Sequence, residues 1–210
     1  MKKHLLLAVS LALASFGAAA QDVPSYTYVE AGYAQTDIDG LGDGDGIGLN
    51  GSFGLGENWH IFGNYTAETN DEFGLDIDMD TYRVGGGYHY AFGAATNLEV
   101  NAFYENINFS VDDGIDSGEV EVDGFGVEVG VRGKFVPKFE GWAYLGYVEA
   151  NNGSVDINGE EEDVDLDGDG GSTFGRVGAQ YSFTPTWGVV GNAWFDGDVT
   201  RTFIGVRASF

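Results

Sequence analysis

Cysteine is absent from the 210-residue chain, which excludes disulfides and thiolate metal sites. Only three prolines interrupt it, leaving long stretches free to pair as strands. Positive charge is scarce, with nine lysines and arginines against 34 aspartates and glutamates. Phosphates would be repelled by that balance, so nucleic-acid binding is excluded. Beyond Phe16 no run is long and apolar enough to cross a bilayer as a helix. Any membrane residence must therefore be as a closed barrel, the other structure that satisfies its own backbone in lipid. Glycine is plentiful, at 35 residues, beside 15 phenylalanines and 11 tyrosines. That mixture fits turns and curved strands better than a disordered chain.

At the N-terminus Lys2 and Lys3 precede the apolar run Leu5–Phe16, followed by Gly17-Ala18-Ala19-Ala20. This pattern predicts a secretory signal peptide over residues 1–20, cut to leave Gln21. The apolar run, about 12 residues, falls short of the roughly 20 a membrane helix needs. Residues 21–210 then form one domain. Seven basic residues remain there against 34 acidic ones, a formal charge of −27.

The rest of the chain alternates apolar and polar residues, and every arginine falls on the polar parity. In the last strand Thr202, Ile204, Val206, Ala208 and Phe210 share one face, with Arg201 and Arg207 on the other. In Phe125–Phe135, Val127, Val129 and Val131 oppose Glu128 and Arg132. Period-two alternation is the pattern of a strand with one apolar and one wet face. Strands with charge always on one side cannot share a dry core, but they can close with lipid outside and a polar interior. The fold class expected is all-β, a closed antiparallel transmembrane β-barrel of about ten strands, with eight as the alternative. Strands are expected near 25–36, 46–56, 59–68, 79–92, 97–109, 123–136, 139–150, 172–184, 187–196 and 200–210. Tight connections such as Gly56-Glu57-Asn58 and Pro137-Lys138 alternate with longer ones over 37–45, 69–78, 110–122 and 151–171. Short periplasmic turns against longer external loops is the asymmetry of outer-membrane barrels, so the cell outer membrane is the expected location.

Charge follows this topology. The connection 151–171 alone holds Asp156, Glu160, Glu161, Glu162, Asp163, Asp165, Asp167 and Asp169. Inside the barrel, Glu30, Glu99, Glu105, Glu128 and Glu149 share the inward parity with Arg83, Arg132, Arg176, Arg201 and Arg207. Matched numbers predict a paired lumen network, because a buried unpaired charge is costly. Phe62, Phe103, Tyr147, Trp194 and Phe203 should obstruct the lumen. The seventh strand is read either with Trp142, Tyr144 and Val148 to lipid and Leu145 inside, or with the parity slipped. Aromatics near the tight turns, including Trp59, Tyr88, Tyr90, Phe92, Phe135, Trp142, Tyr181 and Trp187, form the expected periplasmic girdle.

Tyr28-Val29-Glu30-Ala31-Gly32-Tyr33, Gly56-Glu57-Asn58-Trp59-His60-Ile61-Phe62-Gly63 and Arg83-Val84-Gly85-Gly86-Gly87-Tyr88 carry a family resemblance. So do Glu128-Val129-Gly130-Val131-Arg132, Phe139-Glu140-Gly141-Trp142, Phe174-Gly175-Arg176-Val177-Gly178-Ala179-Gln180 and the terminal strand. The chain resembles a family of small outer-membrane barrels typical of xanthomonad bacteria. Members were once labelled secreted activators of plant immunity or quorum-sensing factors. The resemblance implies the general outer-membrane barrel domain and no catalytic residues. The acidic connection 151–171 is longer than the family pattern. Phe210, with apolar residues at alternate positions before it, also resembles the C-terminal signal read by the barrel assembly machinery.

Three chemistries are candidates for these residues. Asp165-Leu166-Asp167-Gly168-Asp169-Gly170 resembles the start of a Ca²⁺ loop, and Asp43-Gly44-Asp45-Gly46 is a shorter echo. The twelfth position from Asp165 is Arg176 rather than a bidentate glutamate, so an EF-hand is excluded. What remains is weak divalent binding by Asp165, Asp167, Asp169, Asp43 and Asp45, against the plainer reading of a solvated acidic surface. Proteolysis needs a histidine beside acids at the outer rim, whereas His60 and His89 fall near the opposite ends of their strands. No enzymatic activity and no required cofactor are expected. The third chemistry is transport through a narrow, cation-preferring lumen. The expected function is structural or surface-interactive, with outer-membrane lipid and lipopolysaccharide, the assembly machinery and an unnamed host or cell-surface partner as the contacts. A narrow channel and a secreted or surface signalling factor are the alternatives.

Overall fold

The computed structural model describes residues 23–40, 42–70, 77–93, 95–112, 117–165 and 171–210. Eleven strands run in chain order: β1 (Tyr28–Ile38), β2 (Gly42–Leu55), β3 (Trp59–Asn70), β4 (Ile77–Ala91), β5 (Thr96–Asp112), β6 (Ser117–Val136), β7 (Phe139–Ile157), β8 (Glu160–Asp165), β9 (Gly171–Ser182), β10 (Trp187–Asp196) and β11 (Val199–Ser209). Every pairing is antiparallel, and β1 pairs with β11 from Tyr28↔Ser209 to Ile38↔Val199, which closes the sheet. Ten strands form the barrel wall. β8 stands outside it, pairing with the upper part of β7 while β9 takes the lower part.

The wall forms as the alternation requires. Val127 is 55% exposed on the outside while its neighbours on either side, Gly126 and Glu128, face in; Glu128 is buried. Most of the expected girdle aromatics, Trp59, Tyr90, Phe92 and Phe135 among them, are exposed. At the other end Tyr65 donates a hydrogen bond to Asp80 on the neighbouring strand (2.6 Å), and Tyr104 donates to Asp123 in the same diagonal way. These pairs mark where the apolar outer band gives way to acidic residues.

Glycines on the inner face make room for rings. A Cβ on Gly126 would lie 2.2 Å from Cζ of Phe103, and one on Gly146 would lie 2.2 Å from Cζ of Phe174. Both rings are buried and pack with Trp194.

Two expectations about the wall are corrected. Segment 151–171 is not simply a loop. β7 continues to Ile157, turns through Asn158 and Gly159, both at positive φ, and returns as β8. Asn-Gly is the preferred pair for that tight hairpin turn. Segments 37–45 and 110–122 are likewise largely strand, since β2 starts at Gly42, β5 runs to Asp112 and β6 starts at Ser117. The second correction concerns strand parity. In β7, Trp142 and Tyr144 face the lumen and Leu145 is 68% exposed on the outside. Tyr147 and Glu149 therefore point outward, not inward, and Glu149 pairs across to the exposed Phe125. Trp142 leaves the girdle and joins the interior. Past the shift between Lys134 and Val136 at the turn, the register with β6 is unbroken from Glu140 to Ala150 and slips next at Asn151, so parity cannot change between them.

Gly126→Ala should destabilise the barrel by about 1–3 kcal/mol, because the Phe103 ring, packed on Phe174 and Trp194, must shift to admit the methyl group. Gly63→Ala, where the nearest atom is 3.5 Å away, serves as the matched control. Thermal unfolding in lipid vesicles measures both, and equal midpoints would remove the packing argument.

Candidate functional site

The lumen is the most elaborated part of the molecule. Five arginines enter it from β4, β6, β9 and β11, because all sit on the inward parity of their strands. At the tight-turn end Arg207 reaches Glu30, and also contacts Glu140 at 3.3 Å and Gln180 at 2.8 Å. Arg132 meets Glu140 at 2.6 Å and donates to the Ser25 carbonyl at 2.8 Å. Midway, Arg176 pairs with Glu128, which also accepts from Asn101 at 2.8 Å. Toward the other end Arg83 and Arg201 converge on Glu105.

The network is therefore not five matched pairs. Glu99 is held by two phenols instead, with Tyr26 and Tyr144 each donating at 2.6 Å. The carboxylate that joins Arg132 and Arg207 is Glu140, which replaces Glu149 in the predicted set. Glu140, Trp142, Tyr144 and Gly146 share one parity, and Ala143, Leu145 and Tyr147 the other. Reading Ala143 and Leu145 as the lipid face would have found Glu140. Tryptophan and tyrosine misdirect there, because both suit a membrane interface as well as a polar interior.

Rings layer between the ions. Phe174 stacks on Trp194 with centroids 3.5 Å apart, and Phe103 meets both edge-on or tilted. The Arg83 guanidinium lies 4.1 Å from the Trp194 centroid and 4.4 Å from that of Phe103. Arg207 lies 4.0 Å over Tyr28 and Arg176 4.2 Å over Tyr144. Such contacts contribute about 0.5–2 kcal/mol each and fix the planar ions in orientation. The result is a narrowed interior, with the Arg83 cation over two rings and a remaining cavity of about 150 Å³.

At the tight-turn mouth the chain's own Ser25–Thr27 packs against the wall. Tyr26 stacks on His89 at 3.6 Å and accepts from Asn97 at 2.8 Å. Ser25 donates to the Phe210 carbonyl at 2.9 Å, and the Phe210 amide donates to the Thr27 carbonyl at 2.9 Å. Phe210 thus ties the end of β11 to the start of β1. His60 and His89 are buried at this mouth with their Nδ1 atoms 3.4 Å apart, and His89 Nε2 contacts the Glu57 carbonyl at 3.0 Å. Neither stands with the acids of the far end.

The calcium candidates are dispersed. Asp43 and Asp45 are exposed on the outer face of β2, and Asp43 accepts from Gln35 at 3.3 Å. Asp165 ends β8, while Asp167 and Asp169 lie outside the described residues. Among the described residues no three His, Asp or Glu side chains converge as a metal site.

No family model matches the chain, and no curated protein matches it. Solved structures do. The porin KdgM in complex with disordered oligogalacturonate is 12% identical over 87% of this chain and 99% of that one, with a TM-score of 0.45. Neisserial surface protein A is 16% identical over 93% and 100%, at 0.43. Ail, the attachment invasion locus protein of Yersinia pestis, is 12% identical over 89% and 99%, at 0.40. These are outer-membrane barrels of different activities, and at such scores the likeness carries no functional argument. The barrel stands on its own strand pairing.

Arg207→Met should cost about 3–5 kcal/mol, since it strips the buried Glu30 of its only arginine. Arg201→Met should cost about 1 kcal/mol or less, because its side chain is 24% exposed and Glu105 keeps Arg83. Equilibrium unfolding in vesicles, followed by tryptophan fluorescence, compares the two. Equal losses would show that burial does not govern the network.

Proposed function

We propose that this protein is an integral outer-membrane barrel with a structural and surface-interacting role. The outward face of all ten wall strands supports the location, since its apolar band is what a bilayer requires and a soluble barrel would not tolerate. Residues 1–20 act as the export signal, and Phe210 as the mark read by the assembly machinery. The chain belongs with the xanthomonad-type barrels that its motifs resemble. The tight turns face the periplasm, and the acidic strand extensions face outward among lipopolysaccharide headgroups. There the aspartates bridge to lipid phosphates through divalent cations, with affinities on the order of 10⁻⁴–10⁻³ M. Envelope integrity and adhesion to a cell or host surface are the roles this arrangement serves.

The observation that carries the reading is the ring-crossed lumen. Phe174, Trp194 and Phe103 pack with Arg83 across it and confine its free space to a cavity of about 150 Å³. A narrow cation-preferring channel is the competing reading, and planar-bilayer recording separates them. The wild-type barrel should show no steady single-channel openings. Phe174→Ala with Trp194→Ala should produce them, with a preference for cations. Steady wild-type conductance would give the lumen a transport role and overturn the structural reading.

Calcium bridging is tested by calorimetry on the folded barrel at fixed ionic strength. Ca²⁺ should give a saturable signal that falls when Asp165, Asp167 and Asp169 become Asn. An identical response to Ca²⁺ and Na⁺ in both proteins would leave only a screened acidic surface.

A further inference from the structure

Five strands outgrow the barrel on one side. Ile77–Asp80 of β4, Ile107–Asp112 of β5, Ser117–Asp123 of β6, Asn152–Ile157 of β7 and all of β8 continue as one sheet. The opposite wall stops short, since β10 and β11 join through Gly197 and Asp198 alone. Register divides the extension into two unlike faces. Asp80, Glu119, Glu121, Asp123 and Asp156 share the outer one. Met79, Phe109, Val111, Val120, Val155 and Ile157 share the inner one, which looks across the barrel mouth. The bulge at Asn151 puts Val155 and Ile157 on the same face as Val120, although they have the opposite parity to Trp142. Val120 is 40% exposed and Ile157 59%. Among the described residues no strand of the opposite wall packs over this face.

We propose that this inner face is a docking surface for a cationic amphipathic peptide segment of another molecule. The proposal rests on the surface-exposed orientation given above and names the partner's chemistry. Charge decides the occupant. Segments 69–80, 107–123 and 152–171 contain no lysine, arginine or histidine. Glu160 and Glu162 lie across from Ile157 and Val155 and edge the apolar face with carboxylates. A second copy would bring an identical acidic border against this one, and lipid phosphates would meet it only through bridging cations. A segment with one apolar face and flanking lysines or arginines buries the exposed valines and isoleucine while neutralising the border. Field from the acidic outer face also raises the local concentration of such a partner.

The test places the full barrel in phosphatidylcholine nanodiscs, with empty discs as background. One probe is a short fluorescent leucine–lysine amphipathic peptide, and the other is oligolysine of equal charge. Val120→Asn with Ile157→Asn should weaken the amphipathic peptide by about tenfold or more and leave oligolysine unchanged. Glu119→Gln, Glu121→Gln and Asp163→Asn together should weaken both probes. Should the asparagine pair not fold, Val120→Thr with Ile157→Thr replaces it. Equal retention of the amphipathic peptide by wild type and the apolar-face variant overturns the proposal, as does binding no greater than to empty discs. Saturable self-association lost in the same variant would assign the face to a second copy and overturn it too. Heat-modifiable migration is recorded for every sample, so failure of the barrel itself is seen separately from failure of docking.

Discussion

A guanidinium cannot lose its proton inside a protein, so burying one commits the surroundings to supplying acceptors. Five of them enclosed by a single wall of strands set the terms for the rest of the interior. Glu30, Glu105, Glu128 and Glu140 meet that demand directly. Glu99 has no arginine of its own and is satisfied by Tyr26 and Tyr144, so the phenols complete what the ions leave over. Removing a fully buried partner such as Arg207 leaves another charge in an environment that cannot solvate it. The network is accordingly stiff, and its cost is repaid only because the pairs form together.

Rings and glycines are the second consequence. A guanidinium presents a flat face as well as hydrogen-bond donors, and that face needs cover where water does not reach. Trp194 and Phe103 cover Arg83, Tyr28 covers Arg207, and Tyr144 covers Arg176. Rings of that size fit inside a narrow barrel only where the neighbouring strand has no side chain, as at Gly126 and Gly146. Ion pairing, ring stacking and glycine placement are one solution to one volume. Widening such a core would break charge pairs and ring contacts together.

Much of this was legible from residue order alone. Period two in β6 and β11 identified the wall, and the arginines identified the lumen, because lipid and guanidinium are incompatible at close range. Glu149 is not legible for a physical reason: Trp142 and Tyr144 are at home in either environment, so they do not fix parity. The small and aliphatic Ala143 and Leu145 do, since neither has a polar tip to place. Tyr26 was invisible because its role depends on the Val23–Thr27 segment folding back into the mouth, a tertiary event with no periodic signal. The β7–β8 hairpin had a signal, Asn158-Gly159, but the surrounding acids read as loop. Carboxylates on one face of a strand repel across it, yet alternation with Val155 and Ile157 still decides the backbone.

That last point bears on why the extension exists. Sheet built beyond the bilayer gains nothing from lipid and must balance charge repulsion on one face against apolar exposure on the other. Register forces the two problems together, because every acid moved outward moves a valine inward. Edge strands with glutamates resist neutral strand addition, so β8 discourages indiscriminate aggregation while leaving the inner face open. A sheet needed only to complete the wall would end in a short turn, as β10 and β11 do at Gly197 and Asp198. One that carries them past the rim, on the side where the opposing wall is short, retains exposed apolar surface that its own fold does not cover. Such surface is stable in water only while the fold is held by the wall below, and this ties the behaviour of the extension back to the arginine-paired interior.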